Sequence, residues 1–233
     1  MRSDLKSSFR RTGGDRRGHS RRTSRNSAAL LVVVAGLLGG CAGLVDKPAR
    51  PVLYDFGPGT ATSTSVPTRA LRGAVVLADV EAAGALDGSA VLYRLGYADS
   101  HQLRPYAQSR WSAPPPQLVR QRLREQLGRE RVVLNPGEGA ALARSDGLLP
   151  RSLRIELEEF SHFFESPASR VGMLRLRATL LENTAGGEKL LAQRNVVIQR
   201  PAPTADAPGG VRALTAAVDA AADELSQWLA QVP

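Results

Sequence analysis

Cysteine occurs once in these 233 residues, at Cys41, and histidine only three times. One thiol excludes an intramolecular disulfide and any multi-cysteine metal site. His19, His101 and His162 are too scattered for a metal motif of the H-E-x-x-H kind. Aromatic side chains make up 5% of the chain, so each Trp and Phe is worth following. Walker loop, G-x-S-x-G elbow and Rossmann fingerprint are all missing; Gly137-Glu138-Gly139 lacks the later glycine and reads as a turn. Long apolar runs are missing too. Ala28 to Gly40, thirteen residues, would span roughly 20 Å of a hydrocarbon core roughly 30 Å thick, too little for a membrane-spanning helix. The formal net charge of +9 is concentrated at the front: residues 1–40 hold nine basic and two acidic groups, leaving +2 for the other 193 residues. A domain so nearly neutral has no electrostatic footprint for nucleic acid. What is present, 42% hydrophobic and 23% charged residues, suits one ordinary globular domain with an appendage.

The appendage reads as an export signal. A basic segment, a short apolar segment and small residues before a cut site make a secretory signal peptide over residues 1–40. Its end, Leu38-Gly39-Gly40-Cys41, resembles the bacterial lipobox, in which a peptidase recognises the Leu and small residues and the Cys thiol takes a diacylglycerol. On this reading Cys41 becomes the first residue, and two or more acyl chains hold it firmly on a bilayer. Ala42 follows where an Asp resembles an inner-membrane retention signal, so the expected destination is the outer membrane, with the domain facing the periplasm. Residues 41–51, with Pro48 and Pro51, form a lipidated tether of up to about 30 Å.

From residue 52 to 233 the pattern is that of one domain. Short strands are expected at Val52–Phe56, Ala74–Val80 and Ala90–Leu95, with a turn or short crossover at Gly84–Gly88 and pairing at Leu103–Tyr106. Pro114-Pro115-Pro116 can start the helix over Gln117–Gly128, whose stripe is Leu118, Val119, Leu123 and Leu127. Arg120, Arg122, Arg124 and Arg129 fall on its other positions, as a solvated face or a basic patch for lipid headgroups or a partner. Val132–Leu134 is a further short strand. Leu153–Phe160 alternates, with Leu153, Ile155 and Leu157 inward and Glu156, Glu158 and Glu159 on a wet face. Val171–Leu181 and Leu190–Arg200, the latter with Leu190, Ala192, Val196 and Ile198 in phase, pair through a hairpin at Gly186-Gly187. A terminal helix over Gly210–Val232 packs on the sheet. The expected fold class is therefore α+β: a two-layer sandwich of a mixed, mostly antiparallel sheet with two main helices on one side.

Groups for catalysis are scarce. His101 and His162 read as surface or loop histidines, and the only thiol is committed to lipid. No enzyme activity, cofactor or metal is expected. The aromatic run Phe160, Phe163 and Phe164 at the end of its strand either closes one end of the core or offers an apolar patch, which monomers tend to avoid unless it binds something. Trp111 has the same two readings, so Trp111, Phe163 and Phe164 are the candidate partner contacts.

The lipobox, the strand Val52-Leu53-Tyr54-Asp55-Phe56, the stretch Leu92-Tyr93-Arg94, Trp111 ahead of a Pro-led helix, the alternating strand ending in Phe160, the long hairpin and the Ala-rich final helix together resemble the ABC-type transport auxiliary lipoprotein family, PqiC-like, over roughly residues 52–230. Members usually carry an acidic and an apolar residue soon after the Trp, where this chain has Ser112-Ala113-Pro114. The resemblance implies an outer-membrane lipoprotein serving an MCE-type lipid transport system as a non-catalytic adaptor. Its partners would be an MCE-family protein and an inner-membrane permease/ATPase complex, with sheet edges or aromatic loops docking these or another copy of itself as a homo-oligomer. Two other readings stand beside it. A lipid-binding or assembly-factor lipoprotein of another pathway predicts an apolar cavity between sheet and helices; a periplasmic lipoprotein enzyme predicts a cleft gathering His101 or His162 with carboxylates.

Overall fold

The computed structural model describes residues 50–59, 72–146 and 149–232. Leu38, Gly39, Gly40, Cys41 and the tether up to residue 49 lie outside them, as does the Thr/Ser-rich segment at 60–71. In chain order the elements are β1 (Val52–Tyr54), β2 (Arg72–Ala82), a 3-10 turn at Gly84–Leu86, β3 (Ala90–Leu95), α1 (Gly96–Asp99), β4 (Leu103–Trp111), α2 (Pro115–Leu127), β5 (Arg131–Leu134), α3 (Pro136–Asp146), β6 (Arg151–Phe164), β7 (Arg170–Thr184), β8 (Gly187–Pro201) and α4 (Ala207–Gln231).

The spine of the sheet is β6. One of its edges pairs antiparallel with β7 along its whole length, and β7 pairs antiparallel with β8 through the loop at Ala185-Gly186. Its other edge is shared. Residues Val75–Ala82 of β2 run parallel to its first half, and Tyr93–Leu95 of β3 run parallel to its last three residues. Beyond β2 lies β5, parallel; beyond β3 lie β4, antiparallel, and β1, parallel to β4. The fold is thus an α+β sandwich with a mixed eight-stranded sheet.

A single side of the sheet carries the core. Leu153, Ile155, Leu157, Leu174, Leu176, Ala178 and Leu180 point inward and are buried under the stripes of α2 and α4, which pack on each other as well as on the strands. Strand periodicity then shifts at a bulge: Leu157 pairs with Leu176 but Glu159 with Arg175, so Glu158 is an extra residue. The shift turns Phe160, His162 and Phe164 inward in place of the odd-numbered positions. A second bulge, between Leu180 and Leu181, changes the phase of β8. Leu190, expected inside, is 59% exposed, and Leu191 packs against the core instead.

Helix α4 approaches the sheet closely because glycine faces it. A Cβ on Gly172 would meet the backbone of Ala213 and Leu214 at 2.6 Å, and one on Gly210 would meet His162 Nδ1 at 2.7 Å. The helix starts at Ala207, earlier than expected, because the Asp206 carboxylate caps it by accepting from the Gly209 N–H at 2.9 Å.

Three further expectations are corrected. Residues 136–146 form a helix where Gly137-Glu138-Gly139 read as a turn. Its start is a capping arrangement, with Glu138 reaching back to accept the Asn135 N–H at 2.6 Å and Pro136 in the first turn. Two of the arginines of α2, Arg120 and Arg122, are not on a solvated face. Arg122 is 6% exposed, its Nε 2.9 Å from Asp219 of α4 and its Nη2 donating to the Phe56 carbonyl oxygen at 2.9 Å. Arg120 donates to the Leu77 and Ala78 carbonyl oxygens, both at 3.2 Å, at the edge of the bulge where the pairing of β2 with β6 shifts between Leu77 and Val80. The strand through His162 runs on to Phe164, so His162 is neither surface nor loop but fully buried.

Candidate functional site

Alternation along β6, β7 and β8 leaves the other side of the sheet to solvent, and its side chains divide into two zones. The middle is a ladder of ion pairs. Arg177 bridges Glu156 (3.4 Å) and Glu158 (2.6 Å), Arg175 joins Glu158 at 2.9 Å, and Arg154 meets Glu188 at 2.6 Å. Exposed pairs of this kind contribute little to stability, about 0–1 kcal/mol each, but they keep the surface hydrophilic and flat.

Where β6 meets β3 the ladder gives way to a groove of about 510 Å³. Its floor is Phe163, Met173 and Val197, one residue from each of β6, β7 and β8. These are the residues that alternate outward while Phe164, Gly172 and Val196 alternate inward. The Phe163 ring lies under Gly96, where any Cβ would come within 2.3 Å of its Cζ; the absence of that atom lets α1 fold down over the ring.

Arg94 holds the groove's wall. Its Nη2 donates to Glu159 Oε2 at 3.0 Å and its Nε to Oε1 at 3.2 Å, a two-pronged pair, while Nη1 reaches the carbonyl oxygens of Ser100 and His101 at 3.3 and 3.4 Å. That guanidinium therefore ties the β3–β4 connection to β6. His101 stands at the rim, exposed and 3.4 Å from Asp99. Both arginines of the groove have a carboxylate partner, so it is an apolar floor inside a neutral rim.

Behind the groove is a buried aromatic layer. Tyr93 stacks on Tyr106 with ring centroids 4.7 Å apart, His162 lies 4.4 Å from Phe164, and the Tyr106 hydroxyl is 2.8 Å from His162 Nδ1. His162 Nε2 is buried with no hydrogen-bond partner among the described residues. Burial first, and the Arg170 guanidinium second, push the imidazole down to about 4, while Asp206 pulls weakly the other way. The ring is neutral at pH 7. Deeper still, Trp111, Phe56 and Phe160 form a triangle with centroids 5.5 to 6.0 Å apart, Phe56 meeting the other two rings edge-to-face and Trp111 tilted against Phe160.

Of the three candidate contact residues, only Phe163 is therefore available. Trp111 is 2% exposed and Phe164 7%, so both rings belong to the interior and cannot meet a partner without opening the fold. Sequence reading did not reach Arg94, Glu159, Met173 or Val197 as groove residues. The bulge at Glu158 decides which of them face out, and no local signal marks it. His101 and His162 lie on opposite sides of the sheet's surface and are not brought together. Among the described residues no cluster of three or more His, Cys, Asp or Glu could hold a metal ion. Nor is any described helix long and apolar enough to cross a membrane.

Comparison with known proteins bears on the fold and the family. No curated protein matches the chain significantly. Crystal structures share the fold: protein XCC0632 from Xanthomonas campestris superposes with a TM-score of 0.55 at 18% identity, covering 78% of this chain and 88% of that one. An uncharacterized protein superposes with a TM-score of 0.54 at 16% identity, covering 78% and 99%. The family model for the ABC-type transport auxiliary lipoprotein component matches residues 54–226, from the end of β1 to within α4. With that match spanning most of the chain, the protein belongs to the ABC-type transport auxiliary lipoprotein component family.

Proposed function

We propose that the protein is an outer-membrane-anchored, non-catalytic adaptor of an MCE-type ABC transport system that moves phospholipid or sterol-like lipid across the envelope. The observation that carries the reading is the family match over residues 54–226 with Leu38-Gly39-Gly40-Cys41 upstream of it. Acyl chains on Cys41 hold the domain at the membrane, since one chain binds marginally and two or more bind durably. Ala42 in place of Asp favours the outer membrane, and residues 42–51 give the domain its reach.

Docking falls to the groove. A neutral rim around Phe163, Met173 and Val197 favours a protein surface with a protruding apolar side chain over a charged ligand, because the rim's guanidinium groups already have carboxylates. The partner is the MCE-family protein or the permease/ATPase complex. The edge of β8, which pairs only with β7 among the described residues, is where a second copy would add.

A photoreactive residue replacing Phe163 tests the docking claim in cells. It should crosslink to the MCE-family protein or the permease, and Cys41→Ala should abolish the product by releasing the domain from the membrane. Fatty-acid label should enter the native chain and not Cys41→Ala. Absence of label together with outer-membrane fractionation of Cys41→Ala would overturn the anchor; crosslinks equally strong from Arg177, in the ladder, would overturn the groove.

A further inference from the structure

Guanidinium groups gather at the end of the sheet where α4 begins. Register places Arg104 of β4, Tyr93 of β3, His162 of β6, Gly172 of β7 and Arg200 of β8 in one row across five strands. Directly opposed residues share a side of the sheet, so the row faces α4, and Gly210 in the first turn of that helix sits against His162. Arg104 and Arg200 therefore flank the helix start, four strand spacings or roughly 19 Å apart. Arg170 lies two residues further out along β7, and Arg50 is exposed just before β1.

The oxygens these groups engage are neutral. Arg104 Nε donates to Gln102 Oε1 at 2.8 Å, Arg170 to the Ala168 and Pro203 carbonyl oxygens at 3.2 and 3.4 Å, and Arg200 to the Gln199 carbonyl oxygen at 3.1 Å. The carboxylates of the same end are engaged elsewhere: Asp99 lies 3.4 Å from His101, Glu165 accepts from the Ser169 hydroxyl at 2.7 Å, and Asp206 accepts from the Gly209 N–H at 2.9 Å with Arg212 beside it. The positive end of the α4 dipole adds to the field. Where the chain enters decides what this end meets. β1 runs parallel to β4, so the residues before Val52 arrive from the side on which β4 begins, the side of Arg104. Nine steps along the chain separate Cys41 from Arg50, a span of at most about 30 Å. From Arg170 to Thr184, β7 runs roughly 50 Å to the hairpin at the other end. A domain held through Cys41 thus keeps its arginine end, and not its hairpin, nearest the bilayer.

We propose that this end of the sheet rests on the bilayer that holds Cys41, with Arg50, Arg104, Arg170 and Arg200 meeting the phosphates of anionic phospholipid headgroups. A guanidinium fork matches a phosphate with two parallel hydrogen bonds, and each arginine near an anionic surface strengthens binding about fivefold. The proposal rests on the lipid-anchored reading and deepens it by stating which way the domain stands. Phe163 alternates to the opposite side of the sheet, so the arginine end and the groove do not compete.

The test uses the full chain purified from membranes and returned to vesicles, with a photoreactive residue replacing either Ala205, beside the start of α4, or Ala185, in the hairpin, both of them exposed. In vesicles of phosphatidylethanolamine and phosphatidylglycerol, lipid adducts from position 205 should exceed those from 185 at least fivefold. Arg200→Gln, an exposed change that should leave the melting temperature unaltered, should cut the adducts at 205 about fivefold there and leave them unchanged in phosphatidylcholine alone. High salt should reproduce that loss. Equal adducts from the two positions, or an unchanged yield when Arg200→Gln is combined with Arg50→Gln, would overturn the proposal. Flotation with phosphatidylcholine vesicles reads the anchor separately. A chain that fails to float yet gives adducts at 205 with phosphatidylglycerol overturns the anchor and keeps the arginine end; one that floats with equal adducts at 205 and 185 keeps the anchor and overturns the arginine end.

Discussion

The two hollows of this domain are built from the same residue types in different proportions. In the groove on the open side of the sheet, Arg94 pairs with Glu159 and Arg175 with Glu158, and the apolar floor is shallow. In a larger cleft of about 680 Å³, at the end where β2, β5 and β6 start, Arg131 and Arg151 stand among apolar walls that include Val75, Leu180 and Leu229. The difference teaches that the charge balance of a hollow shapes what it can take: in the groove each guanidinium is matched by a carboxylate, and a neutral rim of that kind suits an apolar protein contact. A further contrast lies behind them. The groove end rests on a buried histidine and the Trp111 triangle; the cleft end has no histidine in its lining.

The largest way to break the contrast is through the core beneath the groove. Trp111→Ala should cost about 3–5 kcal/mol, as large-to-small changes at buried aromatics do, and should be seen as a lowered urea midpoint. Phe163 crosslinking should fall with it. Full stability in this variant would remove the basis for calling Trp111 a core residue.

Acid should distinguish the two ends next. His162 has a folded value of about 4, below its unfolded value of about 6.5, so the unfolded chain binds more protons between those limits. Stability is therefore complete above pH 6.5 and declines as the pH falls toward 4, by about 3 kcal/mol from this group. Comparison of native protein with His162→Gln by urea unfolding at pH 7 and pH 4.5 isolates that contribution. Identical pH slopes would contradict it.

Phe163→Asp sharpens the comparison in the other direction. It should cost about 1–3 kcal/mol, since the ring is only partly exposed and packs under Gly96, and should remove docking at the groove. The smallest effect is expected between the hollows. Arg177→Ala breaks two exposed pairs and should cost less than about 1 kcal/mol, declining further in high salt.

What sequence disclosed, and what it hid, follows from the range of the forces involved. Alternation at Leu153, Ile155 and Leu157, the hairpin glycines and the apolar stripe of α4 are local, and β6 to β8 and both main helices were legible from them. Pairing of β2 and β3 along the same edge of β6 is a long-range arrangement with no local mark. His162 was misplaced because the strand was ended at Phe160, before the bulge at Glu158 could be followed to its consequence. Arg122 reads as solvated because its partners, Asp219 and the Phe56 carbonyl, lie 97 and 66 residues away in the chain. Helix α3 was the one available signal left unread: Asn135-Pro136-Gly137-Glu138 carries the cap, the leading proline and the third-position carboxylate of a helix start.

The central claim is that a lipid-anchored module, and not a free periplasmic protein, presents these two hollows. Mass spectrometry of the amino-terminal peptide from protein purified out of membranes tests it most directly. The account predicts a chain beginning at Cys41 with a thioether-linked diacylglyceryl group; an unmodified Cys41, or residues 1–40 still attached, would contradict it.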